Sequence, residues 1–262
     1  MKNFKLDNST LKSKLKTKSL SIGSWLTIPS QSVIEILATA GFEWLVIDLE
    51  HSPISIESTL NLIGHIQGND MQALVRVSKN EEVIIKRVLD AGADGIIVPM
   101  INSKSDIELT VDYVKYPPNG KRGVGLNRAQ KFGTKFKEYV NWLDKEVVII
   151  AQIEHIEGVN NLDSILSNTH LDGIIVGPYD LSASLGIPGD YNNKSVQNAI
   201  KTIEIKTKKS KKSLGFHVVE SDHNHSLKKI NAGYNFMAFS IDFFFLGDMA
   251  RKEMENLKQK IK

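Results

Sequence analysis

The chain has 262 residues, of which 24% are charged, 41% hydrophobic and 7% aromatic, with no cysteine and a net charge of +3. That size and apolar content suit one large α/β barrel or two small domains with a sizeable core, and exclude a disordered chain. The missing cysteines exclude disulfides, thiolate metal sites and cysteine nucleophiles, and no apolar run approaches the ~18 residues of a membrane span.

Residues 1–20 carry six lysines against Asp7 and predict a basic N-terminal helix over about 7–20. No apolar stretch follows it, so it does not read as a secretory signal, and a cytoplasmic location is expected. A second tract, 201–212, carries six lysines against Glu204, which leaves the rest of the chain near −7. Both tracts are local and poor in aromatics. They read as solvated helix faces, not as a nucleic-acid surface.

Between and after these tracts, eight short β-branched runs recur: SIGSWLTI (21–28), WLVIDLE (44–50), MQALVRV (71–77), GIIVPM (95–100), VVIIAQIE (147–154), GIIVGP (173–178), LGFHVV (214–219) and FMAFSID (236–242). Near-continuous apolar runs signal parallel strands buried on both faces. Amphipathic stretches such as SVIEILATAGF separate them. Eight strands alternating with helices over this length predict a single (β/α)8 TIM barrel spanning 1–262, with an inserted loop and helix region at 101–146. The first turn, TIPSQS, lacks the Gly-rich pattern of a doubly wound dinucleotide fold, so no nucleotide cofactor is expected.

In such a barrel, chemistry sits at the C-terminal strand ends. There the sequence places Asp48, Glu50 and His51 after the second strand, Arg76 after the third, Gln152 and Glu154 after the fifth, Tyr179 and Asp180 after the sixth, and Asp242 after the eighth. Glu154 and Asp180 are two hard oxygen ligands on consecutive strands, suited to Mg²⁺ or Mn²⁺. Asp180 reads equally well as a helix N-cap. Arg76 brings a permanent cation to a carboxylate or developing enolate, or else makes a rim salt bridge. His51 is a base near neutral pH or a polar loop residue. His155 should alternate away from Glu154 and face the helices, while HNH at 223–225 opens a solvated helix. No strand ends in a lysine, which argues against a Schiff-base aldolase.

These residues in this order resemble the HpcH/HpaI family of class II pyruvate aldolases. The resemblance runs from GSWLTIPS (23–30) through FEWLVIDLEHSP (42–53), LVRVSKNE (74–81), LDAGADGIIVPM (89–100), YPPNGKRGVG (116–125), QIE (152–154) and GPYDLS (177–182) to SIDFFFLGDMAR (240–251). It implies a barrel of the phosphoenolpyruvate/pyruvate type and a divalent cation (Mg²⁺, Mn²⁺ or Co²⁺) on Glu154 and Asp180. It implies substrate contacts from Gln152, the Tyr179 backbone, Asp180 and Arg76. His51 becomes the proton acceptor, with Asp90 raising its basicity, and Arg76 stabilises the transition state. Trp25 and Asp48 fall beside the metal pocket. Tyr179 departs from the family's best-known aromatic-degradation aldolase, which has alanine there, and its larger side chain narrows or polarises the aldehyde end.

The reaction implied is cleavage of a 4-hydroxy-2-oxo acid into pyruvate and an aldehyde by a homo-oligomer, a hexamer or another multiple of a dimer. Oxaloacetate decarboxylation, acyl-CoA cleavage and a non-catalytic scaffold barrel are the alternatives.

Overall fold

The computed structural model describes residues 10–261. Helix α1 (Leu11–Thr17) precedes β1 (Ser21–Leu26), α2 (Gln31–Thr39), β2 (Trp44–Asp48) and α3 (Ile56–Gly68). Then come β3 (Gln72–Arg76), α4 (Glu82–Asp90), β4 (Gly95–Val98) and α5 (Lys104–Val114). The inserted region continues through a 3-10 turn (Arg128–Gln130) and α6 (Phe136–Glu146) to β5 (Val148–Ile153). Helices α7 (Ile156–Asn160) and α8 (Leu162–Leu166) lead to β6 (Gly173–Val176), followed by α9 (Pro178–Ser184) and α10 (Lys194–Lys209). The chain closes with β7 (Ser213–Val218), α11 (His223–Asn231), β8 (Phe236–Ile241) and α12 (Asp242–Lys260). All eight strands are parallel and close in sequence order, β8 pairing with β1. The expected barrel is the observed one.

Alternation along the strands builds two apolar layers. One lies between sheet and helices and includes Leu45, Ile47, Val75, Ile96 and Ile149. The other fills the barrel itself with Trp25, Trp44, Val46, Leu74, Ile97, Val148 and Phe236. Trp44 and Phe236 stack inside it at 4.4 Å. Gly23 makes room for that stack, because a Cβ there would lie 2.1 Å from the Trp44 ring.

The N-terminal helix departs from expectation. Residues 7–9 lie outside the described residues, and α1 does not merely expose lysines to water. Its Leu11 and Leu15 are buried in the inner barrel layer, so α1 closes the base of the barrel. Lys12 pairs with Asp172 at 2.7 Å and Lys14 with Glu43 at 2.6 Å, both lysine side chains largely covered. The second tract keeps its expected role: α10 buries Val196, Ile200 and Ile203 on one face and exposes Lys201, Lys208 and Lys209. Among the described residues, no helix is long and apolar enough to cross a membrane.

Candidate active site at the C-terminal mouth

The strand ends deliver the site. Asp48 is the last residue of β2, and β2 pairs with β3 so that Asp48 stands opposite Arg76. The guanidinium then meets the carboxylate two-pronged, Nε donating to Oδ1 at 2.9 Å and an Nη to Oδ2 at 2.7 Å. Its other Nη lies 3.2 Å from Glu50 Oε2. Thus Arg76 stands at the mouth and makes the rim salt bridge of its second sequence reading. Burial pushes the Asp48 carboxyl up, but Arg76 and the amides of Glu50 and His51 outweigh it and hold Asp48 below the usual carboxylate range.

Trp25 lies under Arg76, with the guanidinium carbon 5.4 Å from its ring centroid. Trp25 also stacks at 4.4 Å on His217 of β7, a residue that sequence reasoning passed over. Burial drives the His217 imidazole down to about 4, so it stays neutral beneath the guanidinium, and its Nε2 meets the Ser240 carbonyl at 3.1 Å. No sequence signal marks His217, since its role comes from the stacking partner on β1. Asp242, at the end of β8, accepts from the Thr27 and Ile28 amides and fixes the loop after β1.

Glu154 follows β5 and is buried, 3% exposed. Its Oε1 accepts from the Met100 amide at 2.8 Å, and Oε2 accepts from Gln152. Met100 takes a left-handed φ of 54° to aim that amide. Burial raises the Glu154 carboxyl despite these donors, and the Asp180 charge adds to the effect. Gly177 leaves the space Glu154 occupies, its Cβ position being 2.8 Å from the Glu154 side chain.

Asp180 belongs to the first turn of α9, but the N-cap is Gly177 and the Asp180 side chain caps nothing. The N-cap reading is overturned. Tyr179 beside it is 57% exposed. Glu50, His51, Met100, Glu154, His155, Asp180 and Ser184 line one cleft of about 250 Å³. His51 is exposed, with Nε2 3.9 Å from Glu50 Oε2. His155 lines this cleft too, contrary to the alternation argument, because the strand has ended and His155 caps α7 instead.

Glu50 was expected at the mouth but without a role. Burial lifts its carboxyl to about 7 against the pull of Arg76, with Glu154, Asp48 and Asp180 adding to the lift. Asp90, in contrast, does not join this cluster within one chain. It ends α4 and accepts from the buried Arg122 at 2.5 Å, with Gln130 at 3.3 Å, anchoring the 117–133 loop. Arg122 itself sits over the Tyr116 and Tyr139 rings. None of the eight strands carries a lysine. Lys115, lowered by burial to about 8, is spent at the base on the Leu143 and Asp144 carbonyls.

Among the described residues there is no set of three or more His, Asp or Glu arranged around one metal position. The donor chemistry still fits a hard cation. The charges of Asp48, Glu154 and Asp180 all act on Glu50, that of Asp180 acts on Glu154, and Arg76 is ion-paired to Asp48 and Glu50. Two carboxylates, Glu154 and Asp180, lining one cleft are a donor set that would suit Mg²⁺ completed by water and substrate oxygens.

Fold and cleft together define a (β/α)8 barrel with an acidic, oxygen-rich C-terminal mouth. The chain belongs to the HpcH/HpaI aldolase/citrate lyase family, whose model matches residues 21–247. Over 193 residues it is 40% identical to 5-keto-4-deoxy-D-glucarate aldolase of Escherichia coli (strain K12), covering 73% of this chain and 75% of that one. Over 250 residues it is 36% identical to the protein of the same name from Escherichia coli O6:H1, covering 95% and 96%. A solved HpcH/HpaI aldolase/citrate lyase family protein from Burkholderia cenocepacia J2315 superposes with a TM-score of 0.89 at 30% identity, covering 95% of this chain and 98% of that one. The chain is thus a lyase of the aldolase kind.

Proposed function

We propose that the protein is a divalent-metal-dependent aldolase that cleaves a 4-hydroxy-2-oxo acid into pyruvate and an aldehyde. The observation that carries this reading is the sharing of one cleft by Glu154, Asp180, Glu50 and His51, with Arg76 ion-paired to Glu50 at its edge. Glu154 and Asp180 would hold the cation, which when bound polarises the keto group as a Lewis acid. Gln152, buried beside Glu154, and the Tyr179 backbone orient the pyruvate half. His51 takes the 4-hydroxyl proton, the C3–C4 bond breaks, and C4 leaves as the aldehyde carbonyl. The electron pair passes into the pyruvate enolate, and Arg76, pre-oriented by Asp48, faces the charge that develops. Protonation at C3 then gives pyruvate.

The aldolase name of the relatives supports the reaction class, and their sugar-acid substrate supports a polar aldehyde half. Asp90 serves here as the anchor of the 117–133 loop through Arg122, not as a partner of His51 in the same chain. The working form is a homo-oligomer, a hexamer or another multiple of a dimer. Exposed Phe243, Leu246, Met249 and Leu257 along α12 support it, and light scattering at micromolar concentration should show no monomer.

The test is pyruvate release, coupled to lactate dehydrogenase, over a panel of 4-hydroxy-2-oxo acids with Mg²⁺, Mn²⁺ and Co²⁺. EDTA should abolish it and any of the three ions restore it. Activity surviving exhaustive chelation, or a pyruvyl-lysine trapped by borohydride, would overturn the reading.

A further inference from the structure

One side chain of the cleft has no part in the chemistry above. His155 follows Glu154 directly, caps α7 and lines the mouth beside Asp180 and Ser184. Its ring is held in one tautomer. The Glu157 amide donates to Nδ1 at 3.2 Å, so Nδ1 carries a lone pair and the neutral ring keeps its proton on Nε2. The backbone is pinned as well. The Ile156 amide donates to Ser184 Oγ at 3.0 Å, and that hydroxyl donates to the Leu181 carbonyl at 2.7 Å, tying α7 to α9.

Both ring nitrogens are therefore committed. Nδ1 is an acceptor already in use, and Nε2 carries a proton with no acceptor among the described residues. Such a ring binds; it does not remove a proton. Its depth says what it binds. Glu154 and Gln152 are 3% and 5% exposed, whereas His155 is only half-buried, one residue nearer the rim. The carboxylate and keto oxygens of the pyruvate half belong at the deeper level, so His155 faces the half that projects outward. The neighbouring walls are Glu50, Asp180 and apolar Met100.

We propose that His155 is a specificity-determining residue whose Nε2–H donates to an oxygen on the aldehyde half of the substrate, favouring aldehydes with a hydroxyl beside the carbonyl over apolar ones of the same size. This inference rests on the aldolase reading.

The experiment compares pyruvate addition to glycolaldehyde and to propionaldehyde, which differ by a hydroxyl against a methyl group. Wild type is set against His155→Asn, whose shorter side chain still accepts from the Glu157 amide as an Asx cap, and His155→Gln, which keeps an amide donor at longer reach. The glycolaldehyde/propionaldehyde ratio of kcat/KM should fall roughly tenfold in His155→Asn, chiefly through KM, and recover in part in His155→Gln. A ratio unchanged within about twofold in both variants overturns the inference. Wild-type exchange of pyruvate C3 protons in D₂O with Mg²⁺ separates the two failures. Exchange with an unchanged ratio sinks the role of His155 alone; no exchange sinks the aldolase reading and the inference with it.

Discussion

The two ends of this barrel treat charge in opposite ways. At the base, closed by α1, the lysines are paired, Lys12 with Asp172 and Lys14 with Glu43, while Asp94, raised by burial, accepts from the Gln67 amide and the Ala73 N–H. At the mouth, Asp48 and Glu50 share the one guanidinium of Arg76, Glu154 and Asp180 make no salt bridge among the described residues, and burial raises the Glu50 and Glu154 carboxyls. Buried charge left unpaired costs stability, and in an open cleft a bound ligand can offset that cost. The base is built to hold the barrel shut. The mouth is built to be finished by something that binds.

That contrast breaks in opposite directions under mutation. Glu154→Ala should reduce cleavage to background and abolish metal retention, while Tm stays level or rises, because a buried and raised carboxyl is gone. A variant that kept both metal and turnover would remove Glu154 from the ligand set. Arg76→Ala should cost about 2.7–4 kcal/mol of barrier stabilisation, by analogy with oxyanion donors, and leave metal content intact. An unchanged kcat/KM would reduce Arg76 to its ion pairs with Asp48 and Glu50.

At the base the pattern should invert. Leu15→Ala opens a hole in the inner layer beneath Trp44 and should lower stability by about 2–5 kcal/mol in denaturant melts, with kcat/KM within about twofold of wild type. Equal damage to activity would mean that the two ends are coupled through the strands.

The smallest effect sharpens the account of Glu50. Its carboxyl is raised from an ordinary 4.5 to about 7, so the folded state holds a proton that the unfolded chain releases. This contribution is complete below pH 4.5 and is lost as pH rises through 7, costing up to about 3 kcal/mol. Metal-free protein should therefore melt at a lower temperature at pH 8 than at pH 5.5, and Glu50→Gln should flatten that difference. A slope that persisted in the variant would assign it to the other carboxyls raised by burial, Glu154 and Asp94.

Much of this was legible in the linear chain, for local reasons. Buried parallel strands must be continuously apolar, so eight such runs announced the barrel, and any charge closing one of them stood out. Asp48, Arg76 and Glu154 were visible for that reason alone. The alternation rule failed one residue later, at His155, because pleating ends with the strand and the capping turn re-aims the side chain. Asp180 could not be separated from a helix cap by spacing, since the choice depends on where α9 begins, and it begins at Pro178. Other features exist only between distant segments. Leu11 and Leu15 become a plug only when the barrel offers an open base. Asp90 meets Arg122 only because the inserted loop folds back against α4. His217 matters only because closure of the barrel sets β7 and β1 to either side of β8, where Trp25 can lie against it. Periodicity and composition determined the fold and which strand ends carry charge, because burial acts on each residue locally. Which charges are paired, which are left raised and which rings stack were decided by the tertiary structure, because those energies depend on distances that only closure of the barrel establishes.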